Sequence, residues 1–412
     1  MRWGLAAVLV LLVGCLAFPT YNRFQFLFEP GKVLRVSQNA DECQLLEGIV
    51  GAEDSAIVSE RIVIFGSDDR MTLWEKKGGM EIVQNGSLVV VFAAENGETK
   101  VATLSLENFP TDVDFHPHGI HLLRNNNQML LFVINHAYTA GGERVDVFEV
   151  KLQTASSENN FVPVRITYRY TLGREYLSTT SMGCSNDILV LKPGEFFITQ
   201  YMAFPDLITG RKSGSWLNQT FRHLGNLLSS LTSRPWTHVR HCTYDAESSE
   251  LSKPIHCNIV ASGTSYNGIN TNVDKSVLFV SDPVEREIHA YRLDTAHSEP
   301  LERIQTIKLA YAVDNIELDT EKDTLFLSAI GSFSSHLARI KSRSQNLPPT
   351  TNPGGAMQVY FDYNSGSYSF REILMQDGEK LSSISVACPF HERQVLLGSW
   401  EDTGILVCPL PK

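Results

Sequence analysis

The sequence predicts an all-β chain folded as a six-bladed β-propeller, on three observations. A short polar signature recurs six times, each recurrence leads into paired apolar strands, and the spacing leaves room for four strands per repeat. The recurrences begin at Glu53-Asp54, His118-Gly119-Ile120, Asn186-Asp187-Ile188, Asn267-Gly268-Ile269, Asp314-Asn315-Ile316 and Ser383-Ile384. The strands paired with them run from Arg61 to Phe65, Met129 to Val133, Glu195 to Ile198, Ser276 to Val280, Thr324 to Leu327 and Gln394 to Leu397. Turn residues part the strands, as in Arg124-Asn125-Asn126-Asn127, Lys192-Pro193-Gly194 and Asp319-Thr320-Glu321-Lys322. Further pairs fill the intervals, among them Arg144 to Lys151 with Val164 to Leu172, and Met357 to Tyr363 with Tyr368 to Leu374. A large sandwich would also be rich in strands, but it has no reason to repeat the polar signature.

Two stretches interrupt the repeat. Residues 203–240 place Trp216, Leu217, Phe221, Leu224, Leu227, Leu228 and Leu231 near helical spacing, which predicts one amphipathic helix between the third and fourth units. It is expected to pack over the propeller top, with membrane contact as the alternative. Arg339 to Gly355 is Ser-, Pro- and basic-rich and reads as a mobile loop. The domain reading is a signal peptide or anchor at 1–18 and one propeller over 19–412, with insertions at about 203–260 and 331–356.

Composition sets the class. The chain has 412 residues, 43% apolar and 20% charged, enough to bury a core and too much for wholesale disorder. A net charge of −11 argues against a nucleic-acid surface, which needs clustered Lys and Arg. The N-terminus sets the compartment: Arg2 precedes an apolar run from Trp3 to Phe18 closed by Pro19, the form of a secretory signal. The run predicts an N-terminal hydrophobic helix, short for a full span, with Trp3 and Arg23 placed for the two interfaces. Cleaved signal and retained anchor both stay open. Leu12-Val13-Gly14-Cys15 also permits a lipidated Cys15 as a minor reading.

Without Cys15 six cysteines remain, an even number suited to an oxidising compartment. Cys43 and Cys408 stand at the extremes and could tie the ends. Cys242 and Cys257 flank a polar loop and could staple it, while Cys184 and Cys388 read as buried thiols. Asn85-Gly-Ser and Asn218-Gln-Thr are glycosylation sequons.

The recurring polar residues predict a metal. In a propeller the first strand of each blade lines the axis, so equivalent positions of successive blades converge. Glu53, Asp54, Asn186, Asp187, Asn267, Asp314 and Asn315 occupy those positions. Carboxylates and amide oxygens without thiolates form the donor set of a hard cation, and their number favours calcium over magnesium.

These residues also carry a resemblance. Gly51-Ala-Glu-Asp54, Asp114-Phe-His-Pro-His-Gly-Ile120, Val133-Ile-Asn-His136, Ser185-Asn-Asp-Ile188, Asn267-Gly-Ile-Asn270 and Val313-Asp-Asn-Ile316 fall over five blades in order. Between about Cys43 and Cys408 the chain resembles the paraoxonase/arylesterase family of calcium-dependent six-bladed propellers. The resemblance implies two central calcium ions. Glu53, Asn186, Asn267, Asp314 and Asn315 would hold the catalytic ion; Asp54, Asp187 and the Ile120 carbonyl would hold the structural one. It also implies a Cys43–Cys408 disulfide and an N-terminal segment often retained uncleaved. The family hydrolyses lactones and aryl esters, with His118 as general base and His136 raising its basicity. His116, beside them, reads as a turn residue.

The substrate wall departs from the family. Gln200-Tyr201-Met202 stands where the family has an Asn-Asp-His run, and a fifth-blade pocket histidine is replaced near Ile330. The leading expectation is therefore a secreted or membrane-anchored esterase or lactonase acting on a small ester, with a membrane or lipoprotein surface as a possible partner and no nucleic acid. The alternative is a non-catalytic relative that keeps calcium for structure and acts as a membrane-tethered chaperone or assembly factor.

Overall fold

Runs such as Leu130-Leu131-Phe132-Val133 and Phe196-Phe197 leave no polar face, so their strands must be covered on both sides. Stacking blades around an axis provides that cover. The computed structural model describes residues 21–27, 35–70, 85–125, 128–138, 140–153, 162–207, 215–293, 300–344, 347–363 and 365–411. Residues 1–18 with Cys15, and the Asn126-Asn127 turn, lie outside them.

Among the described residues six sheets form the blades of a six-bladed propeller, antiparallel except where Leu106–Glu107 and Ser252–Lys253 pair parallel with Val164–Leu172 in blade 2. The inner strands are Ala52–Ser59, Pro117–Asn125, Ser185–Lys192, Ile269–Thr271, Ile316–Asp319 and Ile384–Phe390, each opened by or just behind one polar signature. Successive side chains point to opposite blade interfaces, as a period of two requires. Phe196 packs towards blade 2 with Phe132 and Ile134, and Phe197 towards blade 4 with Leu278 and Val280. Among the described residues each neighbouring pair of blades has its own apolar cluster.

Gln44–Val50 pairs antiparallel with Thr403–Pro409, so the start of the described propeller supplies the outer strand of the last blade. The Cys43–Cys408 disulfide locks this closure, with Cα atoms 4.2 Å apart across 365 residues. Cys242 and Cys257 are also bonded, and Cys184 and Cys388 are buried free thiols. Cys242–Cys257 joins two paired strands of blade 3, Thr237–Thr243 and His256–Gly263. The span 203–260 is thus only partly an insertion, because its second half builds the outer part of that blade.

Among the described residues the propeller carries the helices α1 (Arg174–Thr180), α2 (Trp216–Thr232) and α3 (Phe333–Ser344), and residues 21–27 are helical as well. The Ser215 hydroxyl caps α2 by accepting from the Asn218 N–H. α3 corrects the mobile-loop reading of Arg339 to Gly355, since its Arg339 is buried and pairs with Glu401 at 2.9 Å and Asp402 at 3.0 Å. A helix rich in Ser and basic residues forms here because blade 6 supplies these acids. α2 also departs from expectation. Trp216, Leu217, Phe221, Leu224, Leu227 and Leu228 face solvent, while Asn226 and Ser229 face the protein.

The long-loop disulfide restricts the unfolded chain more than the short one. Replacing Cys43 and Cys408 by Ala is expected to cost on the order of 2–5 kcal/mol. Thermal melts should show a larger loss than for the Cys242/Cys257 double replacement, whose loop spans 15 residues.

Candidate active and cation site at the propeller axis

The inner strands approach one another closely because two signatures carry glycine. A Cβ at Gly119 would stand 2.3 Å from the Asn186 carbonyl oxygen, and one at Gly268 would stand 2.5 Å from that of Asp314. Any side chain there would push the axial strands apart.

The structure sorts the predicted residues into two groups along the axis. Glu53, His118, His136, Asn186, Asn267 and Asp314 line a cavity of about 350 Å³ at one end. Asp54, Ile120 and Asp187 line a separate cavity of about 270 Å³ at the other. Asn315 is buried beside the first group, its Nδ2 donating to the Glu53 carbonyl at 2.8 Å and to Oε1 at 3.0 Å. Residues of the two implied donor sets thus line different cavities.

In the first cavity four buried oxygens have no hydrogen-bond partner among the described residues: Glu53 Oε2, Asn186 Oδ1, Asn267 Oδ1 and Asn315 Oδ1. An unsatisfied buried acceptor costs about 1–3 kcal/mol, so four on the same predicted donors fit a cation. Burial raises the Glu53 pKa and holds that of Asp314 well above the carboxylate range, with the Glu53 charge adding to Asp314. No three His, Cys, Asp or Glu side chains among the described residues converge as a metal centre. Three of the five donors assigned to this group are asparagines.

In the second cavity the carboxylates are tied to neighbouring blades. Asp54 Oδ2 accepts the Ile120 N–H at 2.7 Å, and Asp187 Oδ2 accepts the Ile269 N–H at 2.7 Å. Burial pushes both acids well above their usual range, and the Asp187 charge adds to the rise at Asp54. Glu317, absent from the predicted set, lines the same cavity; burial and the Asp54 charge raise it likewise. Only its place after Asp314-Asn315-Ile316 could have pointed to it.

His118 stands beside the orphaned oxygens, its Nε2 3.0 Å from Asn186 Nδ2 and 3.7 Å from Glu53 Oε1. The His136 ring lies 4.8 Å from it, centroid to centroid, at 58°. His136 Nδ1 is 2.8 Å from Oε2 of the buried Glu143, an acid absent from the predicted site. His116 is not a turn residue: it is buried, with Nδ1 3.1 Å from Asp68 Oδ1. Tyr201 stacks along His118 at 6.4 Å, and Met202 and Ile330 complete an apolar wall.

Other wall residues escaped the sequence reading because they belong to no repeat. Arg70 donates to the Gly51 carbonyl at 3.0 Å and to the Pro117 carbonyl. Its charge opposes the rise at Glu53 and Asp314. His336 reaches the wall from α3, 5.4 Å from the Trp400 ring, and burial holds its pKa below the ordinary range. A histidine thus lines the cavity near Ile330 after all, on an element with no repeat to announce it.

Comparison with known proteins places similarities along most of the chain. The Arylesterase family model matches residues 250–401. The chain is 22% identical over 385 residues to serum paraoxonase/arylesterase 2 of Rattus norvegicus, covering 92% of each. It is 22% identical over 398 residues to serum paraoxonase/lactonase 3 of Oryctolagus cuniculus, covering 95% of this chain and 96% of that one. Among solved structures, the pyranose dehydrogenase PQQ domain from Coprinopsis cinerea shares the fold with a TM-score of 0.50 at 8% identity, over 92% of this chain and 99% of that one. Together with the axial signatures, these matches support a distant relationship of the chain to the paraoxonase/arylesterase family.

Proposed function

We propose that this protein is a calcium-dependent hydrolase of aryl esters and lactones. The observation that carries the reading is the set of four unpartnered axial oxygens directly beside His118. Glu53, Asn186, Asn267, Asp314 and Asn315 would hold one ion, and Asp54, Asp187 and Ile120 a second, structural one. Bound calcium supplies Lewis-acid polarisation of a substrate carbonyl. His118 accepts the proton of the attacking water, because imidazole titrates near working pH, and His136 supports it. Tyr201, Met202 and Ile330 exclude water and favour an apolar acyl or aryl group. The curated relatives carry arylesterase and lactonase names, which supports the same chemistry here.

A second reading draws on the same wall. Tyr201 and Met202 stand where the resemblance places an acid and a base, which favours a calcium-bearing propeller that assists assembly of other proteins without turnover. Two disulfides support a secretory-pathway location for either reading.

The partner surface follows from α2, which turns its apolar side outward. It joins the cavity side of the propeller through Asn226, whose Nδ2 donates to the Phe204 carbonyl at 3.3 Å and lies 3.7 Å from Met202 Sδ. Residues 21–27 dock nearby: Arg23 pairs with Glu285 and donates to the Ser230 carbonyl of α2. Exposed Tyr21, Phe24 and Phe26 extend the apolar surface, which fits a lipid or lipoprotein partner. The Asn218 sequon lies on α2 and is exposed, so a glycan there would hold lipid away; Asn85 is exposed at blade 1.

Phenyl acetate and an aliphatic δ-lactone are expected to be hydrolysed with calcium and not with chelator. His118→Gln should lower kcat by about 10²-fold or more while keeping the calcium-dependent melt; turnover by neither enzyme, with that melt intact, selects the assembly reading. The carboxylate shifts set the pH dependence. Glu53, Asp54, Asp187 and Asp314 are raised when folded, so their contribution is full below about pH 4 and is lost as pH rises through the folded values. Chelated protein should therefore lose melting temperature as pH rises from about 4, calcium should flatten that loss, and Glu53→Gln should shrink the calcium effect. For α2, Phe221→Glu with Leu224→Glu should lower binding to phosphatidylcholine vesicles by at least about tenfold; unchanged co-sedimentation removes the lipid partner.

A further inference from the structure

Glu143 has no counterpart in the repeat signature, yet it holds a catalytic-site histidine. Its side chain is fully buried and its Oε2 lies 2.8 Å from His136 Nδ1. The same oxygen accepts the Gly183 N–H at 3.0 Å, and Oε1 accepts the Ser185 N–H at 3.2 Å. These donors precede Asn186 and Asp187 on the inner strand of blade 3, so one carboxylate fastens the His136 loop of blade 2 to that strand.

A buried carboxylate is costly unless its oxygens are matched by donors. A neutral amide side chain could not replace it, because its NH2 group only donates, whereas the carboxylate accepts at both oxygens. The carboxylate has a distinct consequence at His136. Acting only as an acceptor, it fixes the proton of neutral His136 on Nδ1 and leaves Nε2 a lone pair. It also stabilises positive charge on the histidine pair.

We infer that Glu143 is a positioning residue for His136, its carboxylate reaching the ring from blade 2 while anchored on the backbone of blade 3. The inference rests on the hydrolase reading above, in which His118 takes the proton of the attacking water. In that step the proton moves from water to His118, His136 supports the charge, and Glu143 Oε2 at His136 Nδ1 fixes the His136 tautomer. An acid three residues before Asp146, on a Gly-Gly turn, had no sequence pattern to mark it.

The test uses the full chain with calcium. Glu143→Gln and Glu143→Asp are compared with wild type for phenyl acetate kinetics, for melting with and without chelator, and for the His136 tautomer by ¹⁵N-histidine NMR. Glu143→Gln should lower kcat by about 10²-fold with KM within about twofold and lose the Nδ1–H tautomer. Glu143→Asp should restore most of kcat, and both variants should keep the chelator-sensitive melt. Wild-type kcat in Glu143→Gln overturns the inference, as does joint loss of activity and chelator-sensitive melting in both variants. If Glu143→Gln does not fold, an Nε2–H tautomer at His136 in the wild type overturns it, and Nδ1–H with rescue by Asp supports it. Absence of turnover in the wild type removes the hydrolase reading and the catalytic role with it; the NMR measurement then reports only whether Glu143 orients His136.

Discussion

Acidic side chains buried on the propeller axis are the constraint on which the rest of the structure depends. Glu53, Asp54, Asp187, Asp314 and Glu317 lie out of water, and burial raises every one of them. Such a cluster opposes its own folding unless donors or a cation compensate. The lower acids obtain backbone N–H groups from neighbouring blades. The upper donors keep unpartnered oxygens beside His118. Structural demand and chemical opportunity therefore sit at opposite ends of one channel.

Holding that channel together requires a ring that does not open. Each blade covers both faces of its strands with its neighbours, so losing one interface would expose apolar surface on two blades. The weak point is the join between first and last blades, where strand pairing from Gln44 and the Cys43–Cys408 bond act together. Gly119 and Gly268 complete the arrangement by letting axial backbones meet. The ring and the site are thus one mechanical object.

The cavity wall obeys different rules. Arg70 and His336 line it from segments outside the repeat, and Glu143 lies behind it, on His136. Glu143 reaches His136 from outside the repeat, since a hydrogen bond requires only an oxygen at the right distance. The outward apolar side of α2 follows similar logic: its inward contacts are polar because Arg222 meets Asp206 and Asn226 meets Phe204.

By itself the sequence determined the six repeats, the closure cysteines and the polar residues on the axis. Each is a periodic or paired feature, and propeller symmetry converts equal sequence positions into equal distances from the axis. Glu53 and Asp314 were legible for that reason, although 261 residues separate them. Only the tertiary structure decided which cavity each polar residue lines, since Glu53 and Asp54, adjacent in sequence, line different ones. It alone placed Glu143 on His136, buried His116 against Asp68, folded Arg339 into a helix and turned α2 outward. Those outcomes depend on partners far away in sequence and bound to no repeat, so no local pattern encodes them.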